Sequence, residues 1–242
     1  MILADTRHRL TRDDAHLAAR LLATESGDDP RALESRIADE GIDSILDDPR
    51  LADALLRQPR GAHASLALFT YVMVRQALRR AGEEDRGVAD YVSAIVLSFG
   101  VRDRAHRIAL TDDERYDAIV ELCEDLDDPD ARRSFLTRAH LGNYALWLSG
   151  IFPDYIEQRR WRRGGPDLEY YEQMGRRGFA LAADHRLAEA HGLSALYSSV
   201  AEHFGKLRVA LNSVSDALFF PSVNSPERLM RQVADEARWR RA

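Results

Sequence analysis

Lysine is nearly missing from this chain: Lys206 is the only one among 34 basic side chains in 242 residues. The base composition of a GC-rich genome accounts for such a bias, so arginine abundance says little and arginine placement says more. Cysteine is equally scarce. Cys123 alone excludes an internal disulfide framework and any multi-cysteine zinc site, and it fits a reducing compartment. Long apolar runs are lacking too. The longest, 64–74 and 91–98, fall well short of the roughly 20 residues that a membrane helix requires, so no membrane span is expected. The opening MILADTRHRLTRDD turns charged at once, without the apolar core of a signal peptide, and this predicts a cytoplasmic location. A formal net charge of −6 gives no general basic footprint for nucleic acid.

What charge there is lies unevenly. Residues 112–130 carry ten carboxylates against Arg115 alone, whereas residues 132–163 carry seven arginines against Asp154 and Glu157. Two such stretches on one chain are complementary and could pair between subunits of a homo-oligomer.

Helical signals recur from end to end, and no alternating strand pattern bounded by turns occurs, so the fold class is all-α. The spacing predicts helices over 12–24, 30–40, 49–58, 63–81, 86–99, 112–126, 129–150, 153–163, 167–183, 187–203, 206–219 and 226–240. Asp29-Pro30, Asp48-Pro49, Asp128-Pro129 and Ser225-Pro226 read as N-caps followed by proline at the first helical position. Thr111 and Glu114 read as a capping box that opens an acidic helix. On that helix Tyr116, Ile119, Val120, Cys123 and Leu126 form one apolar stripe. Neighbouring negative charge should raise the Cys123 pKa and leave it a structural residue.

Helices 63–81, 86–99 and the second half of 129–150 are apolar nearly all round. They are therefore expected at the centre, with amphipathic helices outside them. The expected organisation is one globular multi-helix domain over 1–242, with the option of a small N-terminal helical lobe over 1–60.

Enzyme signatures are sparse. A Glu-x-x-His pair would place two ligands on one helical face toward a di-iron centre, and none occurs. There is no His-Asp dipeptide and no Gly-x-Ser-x-Gly elbow. His185 and Glu189, four apart, form the best metal-ligand pair, but no second helix offers matching ligands. No cofactor is expected.

The unusual content gathers in residues 138–185, which hold eight aromatic side chains, a run of arginines around one tryptophan, and glycines inside a helix. His140, Asn143, Tyr144 and Trp147 fall at i, i+3, i+4 and i+7 and share one helical face. Such a face serves either as a pocket wall or as a core face whose polar tips are satisfied by the backbone. Gly175 and Gly178 each cost about 1 kcal/mol inside a helix. With Leu168, Tyr171 and Ala182 they line a groove that either a ligand or a neighbouring helix could fill. Arg159, Arg160, Trp161, Arg162 and Arg163 end the helix between these two. They suit the helix dipole, and they also suit a carboxylate or phosphate held against an indole. Arg238, Trp239, Arg240 and Arg241 repeat that pattern at the end of the chain, where a solvated tail is the ordinary reading.

The run Leu141-Gly-Asn-Tyr-Ala-Leu-Trp-Leu-Ser-Gly-Ile-Phe-Pro-Asp, followed by Tyr170-Tyr-Glu-Gln-Met-Gly, resembles a signature of bacterial all-helical proteins of unassigned function. The resemblance covers about the C-terminal half. It implies a bacterial, cytoplasmic origin and brings no activity, cofactor or catalytic residue with it.

The expected function is thus a non-catalytic binding or regulatory protein that engages a protein partner or a small anionic ligand through residues 138–185. An enzyme with an all-helical, metal-assisted pocket built from His140, Tyr144, His185 and Glu189 is the alternative. Nucleic-acid binding by Arg159–Arg163 ranks third, because of the negative net charge.

Overall fold

The computed structural model describes residues 1–101, 103–109, 111–219 and 226–239; in the last segment it describes the side chains of 228–233 and 235. Among these residues every regular element is a helix. The chain divides into two compact units, Ile2–Ala105 and His106–Ala242.

The first unit contains α1 (Arg12–Ser26), α2 (Pro30–Glu40), α3 (Asp43–Leu46), α4 (Arg50–Arg57), α5 (Leu66–Arg80) and α6 (Arg86–Phe99). Local chemistry starts most of them. Thr11 and Asp14 form a reciprocal capping box on α1, Asp29 accepts from the Arg31 amide ahead of α2, and Ser65 and Asp85 cap α5 and α6. At Asp48-Pro49 the carboxylate accepts from the Arg50 amide, 2.9 Å away, as a cap should.

Helices α5 and α6 pack together and are buried over 71–78 and 88–95 respectively, as their apolar character predicts. Burial there extends to polar groups. Arg75 is buried and donates from Nε to Asp47, 2.7 Å away, and Asp47 also accepts from Arg86 at 2.6 Å. Gln76 donates to the carbonyls of Leu46 and Asp48, which ties α5 to the end of α3. Beside this network the Tyr71 side chain is fully enclosed, and its hydroxyl has no hydrogen-bond partner among the described residues. Burial pushes its pKa up to about 12. An enclosed hydroxyl without a partner costs about 1–3 kcal/mol. Tyr71→Phe is therefore expected to be at least as stable as the natural chain. A lower urea midpoint with an unchanged slope would contradict that.

The second unit contains α7 (Ile119–Glu124), α8 (Ala131–Ile151), α9 (Pro153–Arg163), α10 (Leu168–Ala183), α11 (Arg186–Ala190), α12 (Ser194–Glu202), α13 (Phe204–Phe219) and α14 (Pro226–Trp239). Helix α8 is its axis and packs against α7, α9, α10, α11 and α13. Its C-terminal carbonyls would be orphans, but α13 satisfies them. Asn212 donates to Ser149 and Gly150 at 2.8 and 2.7 Å, and Ser215 donates to Ile151 at 2.7 Å. That capping lets the chain turn at Phe152-Pro153 and begin α9 at once.

Several expectations are corrected in this unit. The helix expected over 112–126 shrinks to the six residues of α7, and Thr111 with Glu114 forms no capping box. Like charges at helical spacing repel, and Arg133 of α8 draws the segment out instead. Its guanidinium binds Asp112 at 2.5 Å, Glu114 at 2.6 Å and the Tyr116 hydroxyl at 3.0 Å. The acidic stretch also meets Arg138, through Asp127 at 3.2 Å, so part of its charge is paired within the chain. On α7 the apolar stripe is shifted: Val120 is exposed, Leu122 is buried, and Cys123 is half-buried 3.8 Å from the Met174 sulfur. Burial, more than the neighbouring Glu124, pushes the Cys123 thiol pKa up.

The cap expected at Asp128 belongs to Asp130, whose carboxylate accepts from the amides of Arg132 and Arg133. The single helix expected over 187–203 is broken into α11 and α12 at Gly192, whose φ of 66° closes a turn.

Helix α14 is inverted relative to an ordinary amphipathic helix. Arg228 and Asp235 are buried, while Leu229, Met230 and Val233 are exposed. Ion pairs hold it. Arg228 and Arg231 bind Asp154 at 2.5 and 3.0 Å, Arg231 binds Asp216 at 2.9 Å, and Asp235 binds Arg208 of α13 at 2.5 Å. The expected cap Ser225 and the side chains of Arg238, Trp239, Arg240 and Arg241 lie outside the described residues. No helix among the described residues is long and apolar enough to cross a membrane.

Candidate functional site

The four residues that share a face of α8 are brought together as their spacing requires. His140, Asn143 and Tyr144 are buried, and Trp147 is half-buried. Their rings run outward in sequence: His140 to Tyr144 with centroids 6.4 Å apart, Tyr144 to Trp147 at 6.3 Å, and Trp147 edge-on to Phe152 at 5.1 Å. Phe152 is exposed, so this aromatic ladder begins in the core and ends at the surface. His106 joins it from the side, with its ring 6.3 Å from Tyr144. His106 is fixed by donating from Nδ1 to the Tyr116 carbonyl at 3.0 Å and lies 3.4 Å from the Asp117 carboxylate.

The glycine groove is filled. A Cβ on Gly178 would come within 2.7 Å of the Gly142 nitrogen and 2.9 Å of the Arg138 carbonyl oxygen. One on Gly175 would meet the Phe204 ring at 2.2 Å and the Ala145 methyl at 3.0 Å. Helices α8 and α10 thus cross with their backbones nearly in contact, running antiparallel because 178 faces 142 and 175 faces 145. Of the two readings of these glycines, the neighbouring helix occupies the space, and no room is left at Gly175 and Gly178 for a ligand. Tyr171, one turn before Gly175, is buried, with its ring edge-on to that of Tyr170 at 6.4 Å.

Helix α9 presents a different surface. Only Pro153 and Ile156 of it are buried. Trp161 is 82% exposed, and the Arg160 guanidinium carbon sits 6.0 Å from its ring centroid, at the outer limit for a cation–π contact. Arg160 also lies 3.7 Å from Glu157. Arg162 and Arg163 are exposed and form no ion pair among the described residues. The helix ends at Gly164 in the left-handed conformation, φ 65°.

Sequence reasoning passed over two groups of this region, His106 and Tyr155, and took Arg159 only as part of the Arg159–Arg163 cluster. Tyr155 and Arg159 follow Phe152 by three and seven residues, a helical spacing that was a readable signal. His106 lies too far from residue 144 in sequence for any local pattern to show it. Burial is the main cause of the Tyr144 pKa lying well above the usual phenol range, and the charges of Tyr171 and Tyr155 add to it. Tyr171 is shifted upward by burial as well.

His185 and Glu189 lie elsewhere. The His185 ring stacks on Phe135 at 5.3 Å, and its Nδ1 accepts from the Leu187 amide at 3.2 Å as the cap of α11. That nitrogen is therefore engaged, while burial and then Arg138 and Arg186 lower the ring's pKa. Glu189 is exposed on α11. Among the described residues no group of three or more His, Cys, Asp or Glu side chains is placed to hold a metal ion.

The first unit contains a cleft of about 540 Å³ with Asp13, Asp14, Arg20, Arg60, His63 and Ser65 in its walls. It brings an acid, a histidine and a serine together without aligning them. Ser65 Oγ accepts from the Leu68 amide at 3.1 Å, and Asp14 accepts from the Thr11 amide at 2.9 Å, so both serve as helix caps. Burial works against the Asp14 carboxylate, yet hydrogen bonds from Thr11 and Ser65 hold its pKa below the usual range.

Comparison of the chain with protein-family models, with curated proteins and with solved structures finds no match.

Proposed function

We propose that the chain is a helical binding protein that engages an acidic protein partner through the outer face of α9. The observation that carries this reading is Trp161, 82% exposed among Arg160, Arg162 and Arg163. The helix dipole accounts for arginines in a last turn, at a few tenths of a kcal/mol each. It does not account for an indole held in water beside them. Tryptophan and arginine are the residue types that dominate interface hot spots, and free guanidinium groups bind carboxylates in bidentate fashion. The net charge of −6 favours an acidic protein segment over nucleic acid only in part, so salt dependence alone does not separate the two.

The test is photo-cross-linking from position 162 in cell lysate, followed by binding measurements with the purified partner. Trp161→Ala is expected to weaken that binding about tenfold or more. The Arg160, Arg162, Arg163→Ala triple variant should abolish cross-linking competition while the thermal midpoint stays put, since none of these side chains is buried. Equal partner affinity for the natural chain and both variants would remove the reading, and retention by DNA or RNA in place of protein would replace it.

A further inference from the structure

We infer that the acidic partner of α9 is a second copy of this chain, with Trp161 and the arginines of the last turn of α9 seated on the exposed face of the other copy's α7. The inference rests on the reading of α9 as the recognition surface and names what that surface takes.

Charge is left over on both helices. Arg162 and Arg163 are exposed and form no ion pair among the described residues. On the acidic side, Arg133 and Arg138 take up Asp112, Glu114 and Asp127, but Asp113 and Glu124 are exposed and make neither an ion pair nor a hydrogen bond among the described residues. Glu121, also exposed, spends only Oε2, on the amides of Asp117 and Ala118 at 2.7 and 3.1 Å. The basic and the acidic patches are therefore complementary without neutralising each other inside one copy. Complementary patches of this kind set which surfaces meet and in what register.

Each patch also holds one large apolar side chain in water. Val120 is 50% exposed on α7, with Glu124 one turn along the same face, and Trp161 lies between Arg160 and Arg162 on α9. An indole laid on Val120 removes both from water, while the guanidinium groups around it reach the carboxylates, an apolar anchor inside a polar rim. The exposed Leu229, Met230 and Val233 of α14 offer no such match, since the one carboxylate among the described side chains of that helix, Asp235, is buried and bound to Arg208. Because every copy carries both patches, α9 of each can lie on α7 of the other, a two-fold arrangement that closes at two copies.

Sedimentation equilibrium of the purified full chain tests the inference. The natural chain should reach a dimer, and a contact this small is weak, so the measurement extends to about 1 mM. Arg162, Arg163→Glu and, separately, Asp113, Glu124→Lys should each raise the dimer Kd about tenfold or more, because like charges then face each other. Mixed in equal amounts, the two variants should form a one-to-one heterodimer near the natural affinity, since the glutamates of one meet the lysines of the other and the unchanged patches meet as before. All four positions are exposed, so the thermal midpoints should stay put. A photo-reactive residue at position 158, one turn from Trp161, should link the purified chain to residues 113–124 of its copy. A natural chain that stays monomeric throughout the range, charge-reversed variants that dimerise as it does, folded variants that do not pair when mixed, or links that fall elsewhere would each overturn the inference. If the purified chain is monomeric while position 162 captures a different acidic protein in lysate, only the identity of the partner is lost; if position 162 captures no protein at all, the reading of α9 falls with it.

Discussion

Gly178→Ala is expected to destabilise the second unit by about 3 kcal/mol, although alanine is the better helix former. On propensity alone the change should gain about 1 kcal/mol. The added methyl, however, would stand 2.7 Å from the Gly142 nitrogen and 2.9 Å from the Arg138 carbonyl oxygen, and backbone cannot swing aside as a side chain can. The helices must separate, and separation loosens the rest of the crossing, where the Gly142 site lies 2.7 Å from the Phe179 ring and the Gly175 site 2.2 Å from that of Phe204. Gly205→Ala is the matching control. There a Cβ would meet only the end of the Arg176 side chain, at 3.1 Å, and the Glu172 carboxylate at 3.8 Å, so the half-buried helical position should tolerate it or gain a few tenths of a kcal/mol. Urea unfolding of the two variants should move the midpoint in opposite directions. If Gly178→Ala matches the natural chain in stability, the close crossing is not real.

The second large effect concerns Arg208. Its side chain is buried, and it donates to Glu172 at 2.5 Å, to Asn212 at 2.7 Å and to Asp235 at 2.5 Å. Arg208→Met keeps much of the volume and removes the charge, leaving two nearly buried carboxylates side by side. Removing one partner from a buried ionic cluster typically costs about 3–5 kcal/mol, more than the cluster contributes as a whole. The loss should depend on pH in a definite sense. Without the guanidinium the two carboxylates lose their counter-charge, so the deficit is full where both are ionised and shrinks at acid pH, where protonation removes the uncompensated charge. A further Glu172→Gln, Asp235→Asn replacement should recover stability at neutral pH. A single variant whose deficit is the same at pH 5 and pH 8, with no recovery in the triple variant, would show that packing and not charge explains the loss.

How much of this was readable beforehand depended on the range of the interactions. Caps at Asp29, Ser65, Asp85 and Asp167 act on amides two or three residues away, so the helices they start lie where the spacing predicts. The buried centre of α5 and α6 was equally plain, because an all-round apolar helix has nowhere else to go. Gly175 and Gly178 advertised that something approaches closely, but what approaches is Phe204 at the first and Gly142 at the second, both dozens of residues away. The acidic segment before α7 misled for the same reason. Thr111 and Glu114 have the spacing of a capping box, and Arg133, beyond the reach of any local pattern, prevails over it. In α14 periodicity points the wrong way altogether: Leu229, Met230 and Val233 have the pattern of an inward stripe, yet Arg228, Arg231 and Asp235 turn toward Asp154, Asp216 and Arg208. As for the candidate site, the ladder of His140, Tyr144 and Trp147 was legible because it lies on one helix. Its neighbours Tyr155, Arg159 and His106 come from elsewhere, and only the crossing assembles them.

That crossing has a consequence for how the second unit could diversify. Gly142 and Gly178 close the chain into a clasp, and everything between them, α9 and the Gly164-Gly165 turn included, is an excursion that leaves and returns at one fixed point. Lengthening such a loop costs little, since closure entropy grows only with the logarithm of its length. Pro153 and Ile156 keep α9 seated, and most of its remaining side chains face away from the clasp. New recognition surfaces can thus be written onto α9, by mutation or by graft, while the geometry that holds the unit together is left untouched.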